Sequence, residues 1–281
     1  PDTTAIHNGA NDNASGTSGL LELAHKLQTN RQLLKRSVLL IGFDAEEKGL
    51  LGSKYFVANP TVEKNNIVTM INMDMIGKMK DSTAMVGGVG TSPKFEPMLD
   101  SLSKISKLKF EYDKAGYGPS DHASFYSENI PVLFFFTGDY SNHYHLPEDD
   151  WQDINAPGER KILNVIYSAV IDLSRDMSRP SFTIAGPKKR PTQRNNQKVK
   201  LGIMPYYGGT VDGLKVDKLY DPNGPAAKSG IRPGDIIKSI NKKPVKDIYE
   251  YMKRMEKIKP GQSIPFDIKR DGKIIMLTVR F

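Results

Sequence analysis

Four unbroken apolar runs of strand length, separated by helical repeats, leave this chain few ways to fold. They occupy residues 37–43 (Ser-Val-Leu-Leu-Ile-Gly-Phe), 67–73, 83–86 and 131–136. An apolar run without polar alternation predicts a strand covered on both faces. Between the runs, Leu20, Leu23, Ala24 and Leu27 recur at the helical period and Asn30 offers a stop. Leu50, Leu51, Tyr55 and Phe56 predict a second helix, and residues 93–107 and 158–177 two more. The alternation implies an α/β domain: a mixed, mostly parallel, doubly wound sheet with helices on both faces.

Two of the runs end in acid. Residues 37–43 lead into Asp44-Ala45-Glu46-Glu47, and residues 67–73 into Asp74. In open α/β sheets ligands bind beyond the strand C-termini. Adjacent glutamates near a core are costly unless a cation or a reaction requires them. Two further stretches are rich in donors, Gly9-Ala10-Asn11-Asp12-Asn13-Ala14-Ser15-Gly16 and Tyr144-His145-Leu146-Pro147-Glu148-Asp149. The chain has no cysteine, so a metal would rest on carboxylates and imidazoles. Asp12, Glu47, Asp74 and His145 are the candidate ligands. Glu46 is left as a base, because neighbouring side chains at a strand end diverge and cannot easily serve one ion. Singly, each has a plainer meaning: Asp12 a turn residue, the glutamates partners of a helix dipole, Asp74 a cap, His145 a local hydrogen-bonding group.

The net charge of +8 does not predict a nucleic-acid partner once it is located. Lys188, Lys189, Arg190, Arg194, Lys198 and Lys200 sit together with no acid among them, beside Pro187 and Pro191, which reads as a solvated linker. No apolar run approaches the roughly 20 residues of a membrane span. The first residues show neither a basic nor an apolar leader segment and read as a loop cut open. The expected organisation is a catalytic domain over 1–180, a basic linker over 181–198, and a small module of short strands over 199–281. That module should carry one helix near 246–257 and a last strand over 274–281.

The donor stretches carry a resemblance. With Ser120-Asp121-His122-Ala123-Ser124-Phe125 as a fifth, they resemble, in order, the motifs of the bacterial zinc aminopeptidases with co-catalytic metal ions, from about Asn8 to Arg175. The resemblance implies a zinc exopeptidase fold with two zinc ions per intact site. Asp12 would bridge the ions through a cis peptide to Asn13, Glu47 and His145 would hold one ion, and Asp74 the other. Glu46 would take a proton from the bridging water and pass it to the leaving amine. Tyr144 would donate a hydrogen bond to the oxyanion. Peptide substrates and an extracytoplasmic location follow from the same likeness.

One family ligand, a histidine in an H-x-D stretch upstream of the Gly-Ala loop, has no counterpart here; it is expected in a missing N-terminal piece rather than in His7, five residues before Asp12. The ion at Asp74 would then have two protein ligands. His25 is expected to face solvent and His143 to have no metal role. His122 stands between a structural and a substrate-contacting role, and Trp151 is expected at the core or rim.

Residues 199–281 resemble a PDZ domain, most specifically in Gly224-Pro225-Ala226-Ala227, Ser229-Gly230-Ile231 and Gly234-Asp235. Leu201, Gly202 and Ile203 match the loop whose backbone N–H groups cradle a peptide carboxylate, implying a peptide or protein ligand at the groove. The alternatives are a binding protein on a disabled peptidase scaffold and a single-ion glutaminyl cyclase.

Overall fold

The structure, a computed structural model, describes residues 5–138, 143–188, 198–206 and 211–281. The chain divides into two compact units, Pro1–Lys188 and Lys189–Phe281.

In the first unit three of the apolar runs become strands: β1 (Met70–Met73), β2 (Thr83–Gly87) and, after β3 (Lys109–Tyr112), β4 (Val132–Phe136). The order across the sheet is β1-β4-β2-β3. The β1/β4 and β2/β3 pairs are parallel and β2/β4 is antiparallel, so the sheet is mixed and mostly parallel. Side chains alternate across β4 and feed two cores. Leu133 and Phe135 join Leu23, Phe95, Leu99, Ile162 and Ile166, from helices α1 (Ser15–Thr29), α3 (Phe95–Ser106) and α5 (Ala156–Arg175). Val132 joins Val57 of α2 (Leu51–Ala58) and Phe125 and Tyr126 of α4 (His122–Ser127). Helices thus cover both faces. Each fully buried Leu or Phe in such a core contributes about 1.5–3 kcal/mol.

The run over 37–43 does not become a strand of the sheet. It forms no ladder among the described residues, and Leu39 and Leu40 are 54% and 38% exposed. Val38 and Phe43 do pack against the cores. An apolar run establishes compatibility with a buried strand, but a strand also needs a neighbour to take its N–H and C=O groups. The strand β3 went unannounced because its Lys-Phe-Glu-Tyr sequence carries only a short alternation.

Residues 181–188, assigned from sequence to the linker, dock on the first unit. The Thr183 N–H donates to Thr91 O and the Gly116 N–H to Ala185 O, both at 2.8 Å. Tyr126 Oη donates to Gly186 O at 2.8 Å and accepts the Ala185 N–H at 2.9 Å. The most basic part of the expected linker, including Lys189, Arg190 and Arg194, lies outside the described residues.

The second unit is a sheet of β5 (Ile203–Pro205), β6 (Leu214–Leu219), β7 (Ile236–Ile240), β8 (Lys243–Pro244), β9 (Ser263–Arg270) and β10 (Lys273–Arg280). The order is β10-β9-β7-β6-β5, with β8 on β7 and every pairing antiparallel. Besides the expected helix, α7 (Ile248–Met255), a short α6 (Pro225–Ser229) starts on Pro225 and ends at Gly230 with φ 82°. Proline at a first helical position and glycine just past the end are the favoured boundaries, which explains that stretch. No helix of the described residues is long and apolar enough to cross a membrane.

Candidate metal centre

Loop and strand-end segments that are far apart in sequence meet beside the C-terminal end of β1. Asp12 sits in the turn Ala10–Ala14 that enters α1, and its peptide bond to Asn13 is cis. Gly16, in the first turn of α1, approaches β1 so closely that a Cβ there would lie 2.6 Å from Met73 O. Only glycine permits that approach, and it brings the Asp12 turn alongside Asp74. Asn13 strengthens the junction: its Oδ1 accepts the Met75 N–H at 3.1 Å and its Nδ2 donates to Met73 O at 3.0 Å. Glu46 and Glu47 lie in the turn before α2, and His145 follows the β4 end.

The structure brings Asp12, Glu47 and His145 together, with one donor atom from each within 4.8 Å of the others. His145 Nε2 lies 2.9 Å from Glu47 Oε1 and 3.1 Å from Asp12 Oδ2. Asp74 stands outside this trio. Its Oδ1 is buried and has no hydrogen-bond partner, although the residue as a whole is only partly buried. Glu46 also stands outside it. Tyr144 stacks on the His145 ring, with centroids 3.8 Å apart and planes 21° apart.

These acids crowd one another. Burial, then the charges of Asp74, Glu47 and Glu46, push the Asp12 carboxyl up to about 8. Burial, then Asp74, Glu47 and Asp121, push Glu46 up to about 8. Burial raises Asp74 to about 6, with Asp121 and Glu47 adding to the rise and a hydrogen bond from Ser120 opposing it. Carboxyls whose pKa values are raised by burial and by neighbouring acids are the arrangement a divalent cation relieves. The backbone is also strained beside each segment: Ala45, Met75 and His145 adopt φ of 54°, 53° and 59°. Non-glycine residues in this region concentrate at functional sites.

The residues fit a zinc ion. One imidazole and two carboxylates converge, matching the N/O set of a catalytic site with an open position. The orphaned Asp74 Oδ1 beside them is an acceptor awaiting a donor or a cation. A cleft of about 340 Å³ opens at the trio, lined also by His7, Gly9, Leu146 and Asp149. His7 is at the cleft but is not one of the converging donors.

The other histidines are accounted for. His122 is buried and stacks on Phe134 with centroids 4.4 Å apart, and burial lowers its pKa to about 3, so it is a neutral packing residue. His143 Nδ1 is 2.9 Å from Asp153 Oδ2, and His25 is exposed on α1. Trp151, expected at the core or rim, is 74% exposed. Reading the sequence missed Lys78, which no motif marks, and gave no role to Asp149 or Asp121, although both lie inside stretches it singled out. Asp121 is buried with an unpartnered Oδ1.

In the second unit Leu201 and Ile203 are buried in the core, and Gly202 between them has φ 85°. Leu201 O accepts the Ala226 N–H at 2.9 Å, tying the loop to α6. The strand β5 ends the sheet order, with β6 on one edge and no strand on the other among the described residues.

Comparison with known proteins assigns a family to each unit. Residues 1–170 match the model of peptidase family M28, and residues 194–281 match that of the PDZ domain. Aminopeptidase YwaD of Bacillus subtilis is 28% identical over 188 residues, 64% of this chain and 41% of that protein. The crystal structure of the Legionella pneumophila LapA aminopeptidase superposes with a TM-score of 0.54 at 26% identity, covering 60% of this chain and 48% of that one. BSAP, a zinc aminopeptidase from Bacillus subtilis, gives a TM-score of 0.50 at 26% identity, covering 66% and 47%. The chain therefore spans about half the length of these relatives or less. By its sequence and by the architecture that presents the acidic centre, the chain belongs to peptidase family M28 and bears a PDZ domain behind its peptidase unit.

Proposed function

We propose that the chain is the catalytic and PDZ part of a zinc-dependent aminopeptidase that releases N-terminal residues from peptides. The observation that carries this reading is the convergence of Asp12, Glu47 and His145 beside the unpartnered Oδ1 of Asp74. Asp12, Glu47 and His145 would hold one ion, and Asp74 would contribute to a second. Bound zinc lowers the pKa of its water and polarises a carbonyl oxygen.

The chain's own residues supply the rest. Glu46 is close to the centre but not among the converging donors, and its raised pKa suits a group that exchanges protons near neutral pH. It takes the proton of the attacking water and delivers it to the leaving amine. Tyr144, whose ring stacks on His145, would donate to the oxygen that gains charge. The cleft beside His7 and Leu146 receives the N-terminal residue. Peptide or protein capture falls to the free edge of β5, where an extended chain can add a strand. Of the candidate ligands Asp74 alone lies outside the converging trio, which supports tighter binding of the first ion than of the second.

Hydrolysis of an amino-acid p-nitroanilide, followed with and without chelator, tests the reading. Glu46→Gln should lower kcat by about 100- to 10,000-fold while zinc content stays unchanged. Chelator-insensitive turnover, or full activity in the variant, would reject it. Release of ammonia from a glutaminyl peptide would instead indicate cyclase chemistry.

A further inference from the structure

Behind the trio lies a buried ion pair that reaches each segment of the centre except the Glu46–Glu47 turn. Lys78 Nζ donates to Asp149 Oδ1 at 2.9 Å, and the two side chains are only 4% and 3% exposed. The other carboxylate oxygen, Asp149 Oδ2, accepts the backbone N–H groups of Asn11 and Asp12, each at 2.9 Å. The Asp149 carbonyl accepts the Ala10 N–H at 2.9 Å. One residue therefore receives three consecutive amides of the turn that presents Asp12. Asp149 lies four positions after His145, and Lys78 four after Asp74. The Lys78 segment is anchored in turn: its N–H donates to Thr137 Oγ1 at 3.1 Å, and the Gly77 N–H donates to Asn11 Oδ1 at 3.0 Å.

We propose that Lys78 is the positioning residue of the metal centre: its ammonium holds the Asp149 carboxylate in place, and that carboxylate orders the turn that presents Asp12. The inference rests on reading the acidic centre as a metal site. Among the described residues Lys78 Nζ meets Asp149 and, at 3.8 Å, Asp153, so its effect on the donors passes through Asp149 and the loop amides. Burial makes the arrangement interdependent. A buried carboxylate deprived of its cation is left uncompensated and rearranges, and the two amides lose the acceptor that orders them. The cis Asp12–Asn13 segment would then lose the bonds that fix its direction.

The test uses the full chain in three forms: Lys78→Met, Lys78→Arg, and Lys78→Met combined with Asp149→Asn. The double variant removes both charges together and serves if the single variant fails to fold. Amide exchange at Asn11 and Asp12 is measured by NMR in the metal-free protein. Cobalt(II) affinity is measured separately by visible absorption. Lys78→Met, or the double variant in its place, should exchange these amides about tenfold faster or more. It should also bind cobalt at least about tenfold more weakly, as expected when an outer-shell partner is lost. Lys78→Arg should restore both towards wild type. Unchanged exchange overturns the proposal, and so does faster exchange with wild-type cobalt affinity. Failure of the wild-type chain to bind cobalt rejects the metal reading instead, and the exchange result still decides whether Lys78 orders the turn.

Discussion

Both units bury a carboxylate, and the two are treated in opposite ways. In the PDZ unit Asp235, 1% exposed, receives Arg270 through Nε at 2.7 Å and a second guanidinium nitrogen at 2.8 Å. Its Oδ2 also accepts the Arg232 N–H at 2.8 Å, so charge and lone pairs are matched from within the chain. In the peptidase unit Asp74 Oδ1 is buried without a partner, and burial, with neighbouring acids adding to it, raises the pKa values of Asp12, Glu46 and Asp74. A buried acid that the chain itself neutralises is architecture. Acids crowded together with no Lys or Arg paired to them are the arrangement that suits a cation. Asp149 shows that the distinction is not one of unit, since Lys78 matches it within the peptidase unit itself.

Removing each kind of partner sharpens the contrast. Arg270→Met leaves Asp235 buried and unpaired, and should destabilise the PDZ unit by about 2–3 kcal/mol. The figure is at the low end for a broken buried pair because Arg270 itself is 22% exposed. Calorimetry of the variant should show that loss with peptidase turnover unchanged; equal stability would place Asp235 among the unmatched acids.

The peptidase unit should respond to pH and metal instead. Its raised acids bind more protons folded than unfolded, so their contribution to stability is fullest below about 4, the usual carboxylate range. It declines as pH rises towards the folded value of about 8 for Asp12 and Glu46. In metal-free protein the first unit should therefore be less stable at pH 8 than at pH 5. Zinc should reverse this, adding about 2.7 kcal/mol at a free concentration one hundred times its Kd. The stabilisation should be larger at pH 8 than at pH 5, because protons compete for the ligands. Thermal scans with and without zinc at the two pH values read the difference. Equal stability of the metal-free unit at both would remove the contrast with Asp235.

The smallest effect is the most diagnostic. Glu46→Gln removes one of the mutually repelling acids, and in metal-free protein at neutral pH it should raise stability by about 1 kcal/mol. Stability gained where activity is lost is the mark of a residue retained for chemistry. A destabilised variant would mean that Glu46 is matched by the fold after all.

Much of this was legible in the chain. Runs of apolar residues mark β1, β2 and β4, and the acidic stretches single out Asp12, Glu46, Glu47, Asp74 and His145. What the pattern could not convey was pairing. Residues 37–43 have the composition of a buried strand but form no ladder among the described residues. The strand β3 has weaker composition and pairs with β2. Docking of residues 181–188 was hidden for the same reason, since polar, Pro-rich composition describes a linker and a strap equally well.

Local chemistry determined which side chains are present and in what order: the donor set, the absence of thiolates, the strand-end acids, and the Gly-Pro start of a PDZ helix. Tertiary structure alone decided which acids are matched. Lys78 meets Asp149 across 71 positions, whereas Asp74 Oδ1, equally buried, meets no partner. Charge matching depends on distance in space and on exclusion of water, and neither is a property of neighbours along the chain.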